Sequence, residues 1–246
     1  MESIQSTFKT VTFRILRYKP NRIDPPQYQD FSIQDEPDMT VLDALEKIRL
    51  EQDNSLMYRH SCHHSSCGTC ACKINGQERL TCITKISDLE DDTITLTPLE
   101  GFNPIADLVV DMTRFFKDYS AGCSYLRPSE KTISTRRPEG IKHFTRFENC
   151  IECGACISAC PVTHNSNAFL GPAVLAAVNN ELKKSPQKTA DLLSLAGSRR
   201  GTDMCEKAVN CSRVCPNKVY PAKHITDLRR LLKNRHKGST MDSPLR

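Results

Sequence analysis

Tryptophan is absent from the chain, aromatic residues make up only 6% of it, and the hydrophobic fraction stops at 38%. A chain of 246 residues with so little bulky apolar material has length for two small domains. Their modest cores call for extra cross-linking of the kind that structural metals provide. Long apolar runs are missing as well. A bilayer span needs roughly 20 apolar residues, whereas the longest weakly polar stretch, 168–178, is interrupted by Gly171-Pro172 and reads as a core helix. The opening Met-Glu-Ser-Ile-Gln-Ser lacks the basic and apolar segments of a secretory leader, so a reducing compartment is expected. No nucleophile–base pair, phosphate loop or dinucleotide fingerprint stands out. Neither sign of charge dominates: 34 basic and 29 acidic residues leave +5. That balance permits an acidic partner or a membrane surface, and no basic-aromatic pattern argues for nucleic acid.

Cysteine is what the chain has in abundance, with 13 in all. Residues 150–161 read Cys-Ile-Glu-Cys-Gly-Ala-Cys-Ile-Ser-Ala-Cys-Pro, the C-x2-C-x2-C-x3-C-P run of bacterial-type ferredoxins. In that run Cys150, Cys153 and Cys156 wrap one cubane, and Cys160 belongs to a second cluster. Gly154 and Ala155 are small enough for the loop to fold closely around an inorganic core, and Pro161 turns the chain away. Paired C-x2-C units also suit zinc, but a closed zinc site needs no exported fourth cysteine.

A second run stands at Cys205-Glu-Lys-Ala208-Val-Asn-Cys211-Ser-Arg-Val-Cys215-Pro216. It repeats the first, except that Ala208 holds the place of the second cysteine. By reciprocal exchange Cys215 completes the first cubane, giving Cys150, Cys153, Cys156 and Cys215. The other cluster keeps Cys160, Cys205 and Cys211. Three thiolates beside a methyl group favour a 3Fe–4S cluster. A 4Fe–4S cluster with water on its fourth iron is the alternative.

The amino-terminal part reads as strands around one helix. Val11, Phe13 and Ile15 alternate with polar residues in a strand over 7–18, and 28–34 is a partner strand beyond a Pro25-Pro26 turn. Thr40 caps a helix that puts Val41, Leu42, Leu45 and Ile48 on one face. Asn75-Gly76 marks a hairpin, and 93–99 is a last strand. These elements fit a small β-grasp domain. Within it Cys62, Cys67, Cys70 and Cys82 have the plant-type C-x4-C-x2-C…C spacing for a 2Fe–2S cluster. Cys72 falls outside the pattern. His63 and His64 invite comparison with His-ligated centres, but four cysteines in register leave them as solvent-facing loop residues that tune potential.

Beyond this domain, Asn103 and Pro104 predict a helix over 104–117, with Ile105, Leu108, Val109, Met112 and Phe115 at helical spacing. Segment 119–140 is irregular, and Cys123 in it reads as a structural thiol. Helices are expected from Pro172, over 191–196, and over 222–233, the last with a basic, partner-docking or solvated face. The fold class is therefore α+β. A plant-type ferredoxin domain occupies 1–105 and a helical bacterial-type ferredoxin domain 106–246.

Order, spacing and the Ala208 gap together resemble the iron–sulfur subunits of succinate dehydrogenase and fumarate reductase over almost the whole chain. The resemblance implies an electron-transfer subunit, not catalytic alone. Its partners would be a flavoprotein subunit with covalent FAD and a membrane anchor that binds quinone, often with haem. It places Pro161, Asn165, Glu206 and Ala208 near the quinone. There the family often has Trp and His in the positions of Asn165 and Glu206, and Arg-Glu-Gly where His63, His64 and Ser65 stand. A different quinone or an atypical anchor fits these departures. Without a transit peptide, the expected location is the cytoplasmic face of a prokaryotic membrane. A related reductase, whose flavoprotein acts on another substrate, is the alternative.

Overall fold

The computed structural model describes residues 9–117, 150–184 and 189–239, with side chains up to 235. It divides into two compact units, 1–112 with 151–158, and 113–150 with 159–246.

In the first unit, β1 (Thr10–Lys19), β2 (Ile23–Gln34), β3 (Ala71–Ile74), β4 (Gln77–Leu80) and β5 (Thr93–Thr97) form one sheet, ordered β2-β1-β5-β3-β4. Strands β1 and β5 are parallel, and the other pairs antiparallel. Alternation in β1 buries Val11, Phe13 and Ile15 against Val41, Ala44, Leu45 and Ile48. Helix α1 (Val41–Lys47) starts in a capping box, in which Thr40 and Asp43 satisfy each other's backbone N–H groups. The expected Pro25-Pro26 turn is corrected: the chain reverses over 20–22, and both prolines lie inside β2. An edge strand tolerates their missing N–H groups, and the register shifts beside them, between Arg17 and Lys19.

The parity that buries Ile15 also buries Arg17, which is 1% exposed. Its Nε donates to Asp107 at 3.0 Å, and Nη1 to Asp53 at 2.6 Å and Gln29 at 2.5 Å. Burial alone would lower the arginine's affinity for its proton, but these acceptors outweigh it and raise it. Burial likewise opposes ionisation of Asp53, yet hydrogen bonds from Ser55 and Arg17 hold its carboxyl well below the usual range. Fully buried Asp107 also accepts from the backbone N–H of Tyr18 at 3.0 Å and Met57 at 2.8 Å. It thereby anchors the segment that leads to Cys62.

This network overturns the helix expected over 104–117. Instead β6 (Pro104–Ala106) and β7 (Val109–Val110) make a hairpin, followed by the short α2 (Thr113–Lys117). Asp107, at φ 43°, turns the chain so that its carboxylate meets Arg17. Hairpin geometry satisfies a buried charge that helical spacing would not, and the tertiary demand overrides periodicity.

Residues 151–158, which include α3 (Ala155–Ser158), belong to this unit. Ser158 Oγ donates to Glu78 at 2.8 Å and accepts from Glu100 N–H at 2.9 Å. Gly68, at φ 69°, lies so close that a Cβ there would meet Ile151 O at 2.6 Å and Cys153 Cβ at 2.8 Å. Only glycine fits both the backbone and the space.

The second unit is helical, and the short α7 (Asn210–Arg213) precedes its last helix. Pro161, Pro172 and Pro221 open α4 (Pro161–Asn165), α5 (Pro172–Lys184) and α8 (Pro221–Ser239), where a missing N–H costs nothing. Val174, Leu175 and Val178 of α5 pack with Leu192 and Ala196 of α6 (Thr189–Ala196) and with Ile225 and Leu228 of α8. The helices expected from Pro172, over 191–196 and over 222–233 are present, each somewhat longer than expected where it was bounded. Arg114 Nη2 caps the end of α4, donating to Thr163 O at 2.8 Å and Ser166 O at 3.1 Å. Cys123 and the segment 119–140 lie outside the described residues.

Asp107→Ala should destabilise the first unit by about 3 kcal/mol, the cost of leaving a buried guanidinium short of a partner. The check is the denaturant midpoint for loss of the visible 2Fe–2S absorption from the full chain. Two glycines give a second test. Gly76→Ala has φ 78° and nothing within 4 Å, so it costs about 1 kcal/mol of backbone strain. Gly68→Ala adds a steric clash worth about 1–3 kcal/mol, and the same midpoint should fall further in that variant.

Candidate metal centres

The loop before β3 is curled by left-handed residues, with φ 60° at His63, 58° at Ser65 and 69° at Gly68. The curl points successive N–H groups inward: Cys62 Sγ lies 3.5 Å from the N of His64, 3.2 Å from Ser66 and 3.3 Å from Cys67. Such a nest stabilises negative charge on sulfur. Cys67 Sγ lies 3.1 Å from Thr69 Oγ1. Burial pushes the Cys67 thiol up, but the Thr69 and Cys62 contacts outweigh it and hold it at about 6. Cys82 follows β4 in a short 3-10 turn, Thr81–Ile83. Burial first, then the nearness of Cys70 and Cys62, pushes its thiol up to about 11.

The loop therefore brings Cys62, Cys67, Cys70 and Cys82 together, with three N–H donors aimed at Cys62 Sγ. This donor set suits a 2Fe–2S cluster, whose thiolates are stabilised by hydrogen bonds to sulfur. Cys72 points elsewhere. It shares the core face of β3 with Ile74, among Phe13, Ile15 and Leu96, and burial drives its thiol well up. His63 and His64 are exposed, as expected.

Of the first ferredoxin run, Cys153 and Cys156 are counted with the first unit, and Cys150 and Cys215 with the second. Cys150 and Cys215 pack against the helical core. Cys215 Sγ accepts from Val219 N–H at 3.3 Å.

Cys160, Cys205 and Cys211 line one cavity of the second unit, together with Pro161, Glu206 and Ala208. Asn165, at the exposed end of α4, is not among the lining residues. Burial, and then the neighbouring Cys160 and Cys205, pushes the Cys211 thiol up to about 12. A bound metal reverses that preference, since it takes thiolate and displaces the proton. Arg229 of α8 steadies the approach to this site, with Nη2 at 2.6 Å from both Thr202 O and Cys205 O. Sequence periodicity had assigned this arginine only to a basic face. Its inward role depends on a turn that brings Thr202 beneath the helix.

The two cysteine runs also share a backbone. Glu152 and Gly154 have φ 54° and 83°, and Lys207 and Val209, in the corresponding positions, have φ 62° and 64°. A β-branched residue in that region is strained by roughly 1–2 kcal/mol. Val209 holds the conformation all the same, and keeps its side chain 42% exposed. Ala208 thus stands where Cys153 stands in shape as well as in spacing.

Comparison with known proteins agrees with this geometry. The family profile of the 2Fe-2S iron-sulfur cluster binding domain matches residues 12–117, and that of the 4Fe-4S dicluster domain matches 146–219. The mitochondrial succinate dehydrogenase [ubiquinone] iron-sulfur subunit 1 of Oryza sativa subsp. japonica is 34% identical over 232 residues, 90% of this chain and 82% of that protein. Its counterpart from Candida glabrata is 31% identical over 229 residues, 90% of each. A chain of the Mycobacterium smegmatis Sdh1 complex in its apo form superposes with a TM-score of 0.79 at 25% identity, covering 93% of this chain and 97% of that one. The chain belongs to the family of succinate dehydrogenase iron–sulfur subunits, and is an electron-transfer component of an oxidoreductase complex.

Proposed function

We propose that the chain holds a 2Fe–2S cluster on Cys62, Cys67, Cys70 and Cys82, a 4Fe–4S cluster on Cys150, Cys153, Cys156 and Cys215, and a 3Fe–4S cluster on Cys160, Cys205 and Cys211. When bound, these clusters supply one-electron carriers in series, between the FAD of a flavoprotein subunit and a quinone held by a membrane anchor, with or without haem. The observation that carries the third assignment is Ala208, which has the backbone setting of Cys153 and no thiol.

The chain's own residues contribute position and electrostatics. The N–H groups of His64, Ser66 and Cys67 meet charge on Cys62 with fixed dipoles. Gly68 lets the plant-type loop approach Cys153 to van der Waals distance, which shortens the path between their centres. Arg229 holds the carbonyl of Cys205 and so fixes where that thiol points. None of these residues abstracts a proton or hydride from a dicarboxylate, so succinate chemistry belongs to the flavoprotein.

Pro161, Glu206 and Ala208 line the cavity and are the residues proposed to lie nearest the quinone, with Asn165 farther along α4. Glu206 is exposed at the lip and suits proton exchange with the quinone better than a histidine-free apolar wall would. No described helix is long and apolar enough to cross a membrane. Attachment through a separate anchor, at the cytoplasmic face of a prokaryotic membrane, is the proposed location.

Ala208→Cys tests the third cluster. The unmodified protein, oxidised gently without air, should show the electron paramagnetic resonance of an oxidised 3Fe–4S cluster. The variant should lose that signal as a fourth thiolate admits a fourth iron, and electron flow to quinone should slow. A signal absent from the unmodified protein, or persisting in the variant, overturns the assignment. Register of the plant-type loop has its own test. Cys72→Ser should leave the 2Fe–2S spectrum intact, and Cys70→Ser should alter or abolish it; the reverse pattern would show that the ligand is Cys72.

A further inference from the structure

Beside the plant-type cysteine loop lies a second group of metal-binding side chains that uses none of the cysteines. His60 Nδ1 and His63 Nε2 are 3.0 Å apart, and Glu46 Oε1 stands 3.6 Å from the first and 3.7 Å from the second. The triangle is assembled from two places in the chain. Glu46 projects from α1, whose buried face is fixed by the sheet. His60 and His63 come from the loop, where the left-handed backbone of His63, at φ 60°, bends it back toward His60. The rings of Tyr58 and His60 stack with centroids 5.4 Å apart, which fixes the plane of the His60 imidazole. All of these residues are partly exposed, so an ion has access from solvent.

The spacing distinguishes coordination types. Bonds of 2.0–2.1 Å, as zinc makes to imidazole and carboxylate, put tetrahedral ligand atoms about 3.3–3.4 Å apart and octahedral neighbours about 2.8–3.0 Å apart. The observed edges of 3.0, 3.6 and 3.7 Å bracket the tetrahedral value, and the two carboxylate edges exceed the octahedral one. Two imidazoles and one carboxylate, with a fourth position left open, are also a donor set that zinc uses in proteins.

We propose that Glu46, His60 and His63 form a binding site for a divalent, zinc-class ion on the rim of the plant-type loop, with water in the fourth position. Without metal, the two imidazoles meet in a nitrogen–nitrogen contact of 3.0 Å. Binding takes the lone pairs of His60 Nδ1 and His63 Nε2, and each neutral ring then carries its one proton on its other nitrogen. The site is separate from the cysteine centres in donor type, being nitrogen and oxygen where they are sulfur, and that difference makes it testable with those centres in place.

The test is titration of zinc chloride into the full chain carrying its iron–sulfur clusters, followed by calorimetry and zinc K-edge X-ray absorption. One equivalent should bind, with a first shell of nitrogen and oxygen at about 2.0–2.1 Å, no sulfur neighbour, and unchanged iron content. His60→Ala and Glu46→Gln should each weaken binding ~tenfold or more, without change in the 2Fe–2S spectrum. Glu46→Gln alters only a half-exposed helix position and decides the matter should His60→Ala lose its clusters. Sulfur in the zinc shell, release of iron, absence of stoichiometric binding, or undiminished binding by Glu46→Gln overturns the site.

Discussion

Asp107 has no exposure to solvent and pairs with the buried Arg17, and much of the first unit is arranged to satisfy that pair. Its carboxylate takes Arg17 from the end of β1 and the N–H groups of Tyr18 and Met57. Removing any partner leaves a buried charge short of stabilisation, so β1, the β6–β7 hairpin and the entry to the cysteine loop are specified together. In a chain with few aromatics, such a polar knot does what a larger apolar core would otherwise do. It sets the position of Met57, from which the backbone reaches Cys62.

From that anchor the two cysteine-rich stretches of the first unit come into contact. Gly68 on one and Cys153 on the other leave no space for a Cβ between them, and Ser158 ties the second stretch to Glu78 and Glu100. An electron-transfer subunit needs its carriers close and their separation constant. Close packing at glycine gives proximity, and a hydrogen-bonded serine gives rigidity. The second unit solves the corresponding problem with Arg229, whose single terminal nitrogen holds two carbonyls beside Cys205.

Cysteine environments sort themselves by polarity. Cys62 and Cys67 are surrounded by donors, and Cys67 is acidic even without metal. Cys72 lies among aliphatic and aromatic side chains and stays protonated. Cys82 and Cys211 have raised thiols because burial and neighbouring sulfurs disfavour the bare thiolate, and a metal removes that penalty. The sheet hides Cys72 in the core, two residues beyond Cys70 of the loop. Cys70 is the last residue of the loop before β3, and Cys72, inside the strand, shares the core face with Ile74.

Chain spacing alone made the two groups Cys62, Cys67, Cys70, Cys82 and Cys160, Cys205, Cys211 legible, each of which the fold brings together, because cluster ligation fixes how few residues may separate thiols on one loop. It also determined the capped helix at Thr40, the Asn75-Gly76 hairpin and the proline-led helices, all of which rest on local backbone chemistry. The gap at Ala208 was equally legible, since a repeat exposes its own exceptions. What sequence could not determine depended on partners remote in the chain. Apolar spacing over 104–117 imitates a helix, and only Arg17 makes a hairpin of it. Arg229 looks like surface charge until Thr202 and Cys205 lie beneath it, and His63 looks like a lone loop residue until α1 brings Glu46 alongside. Tertiary structure decided these, because the energy of a buried or paired charge is set by what surrounds it in space, and neighbours in sequence do not specify that.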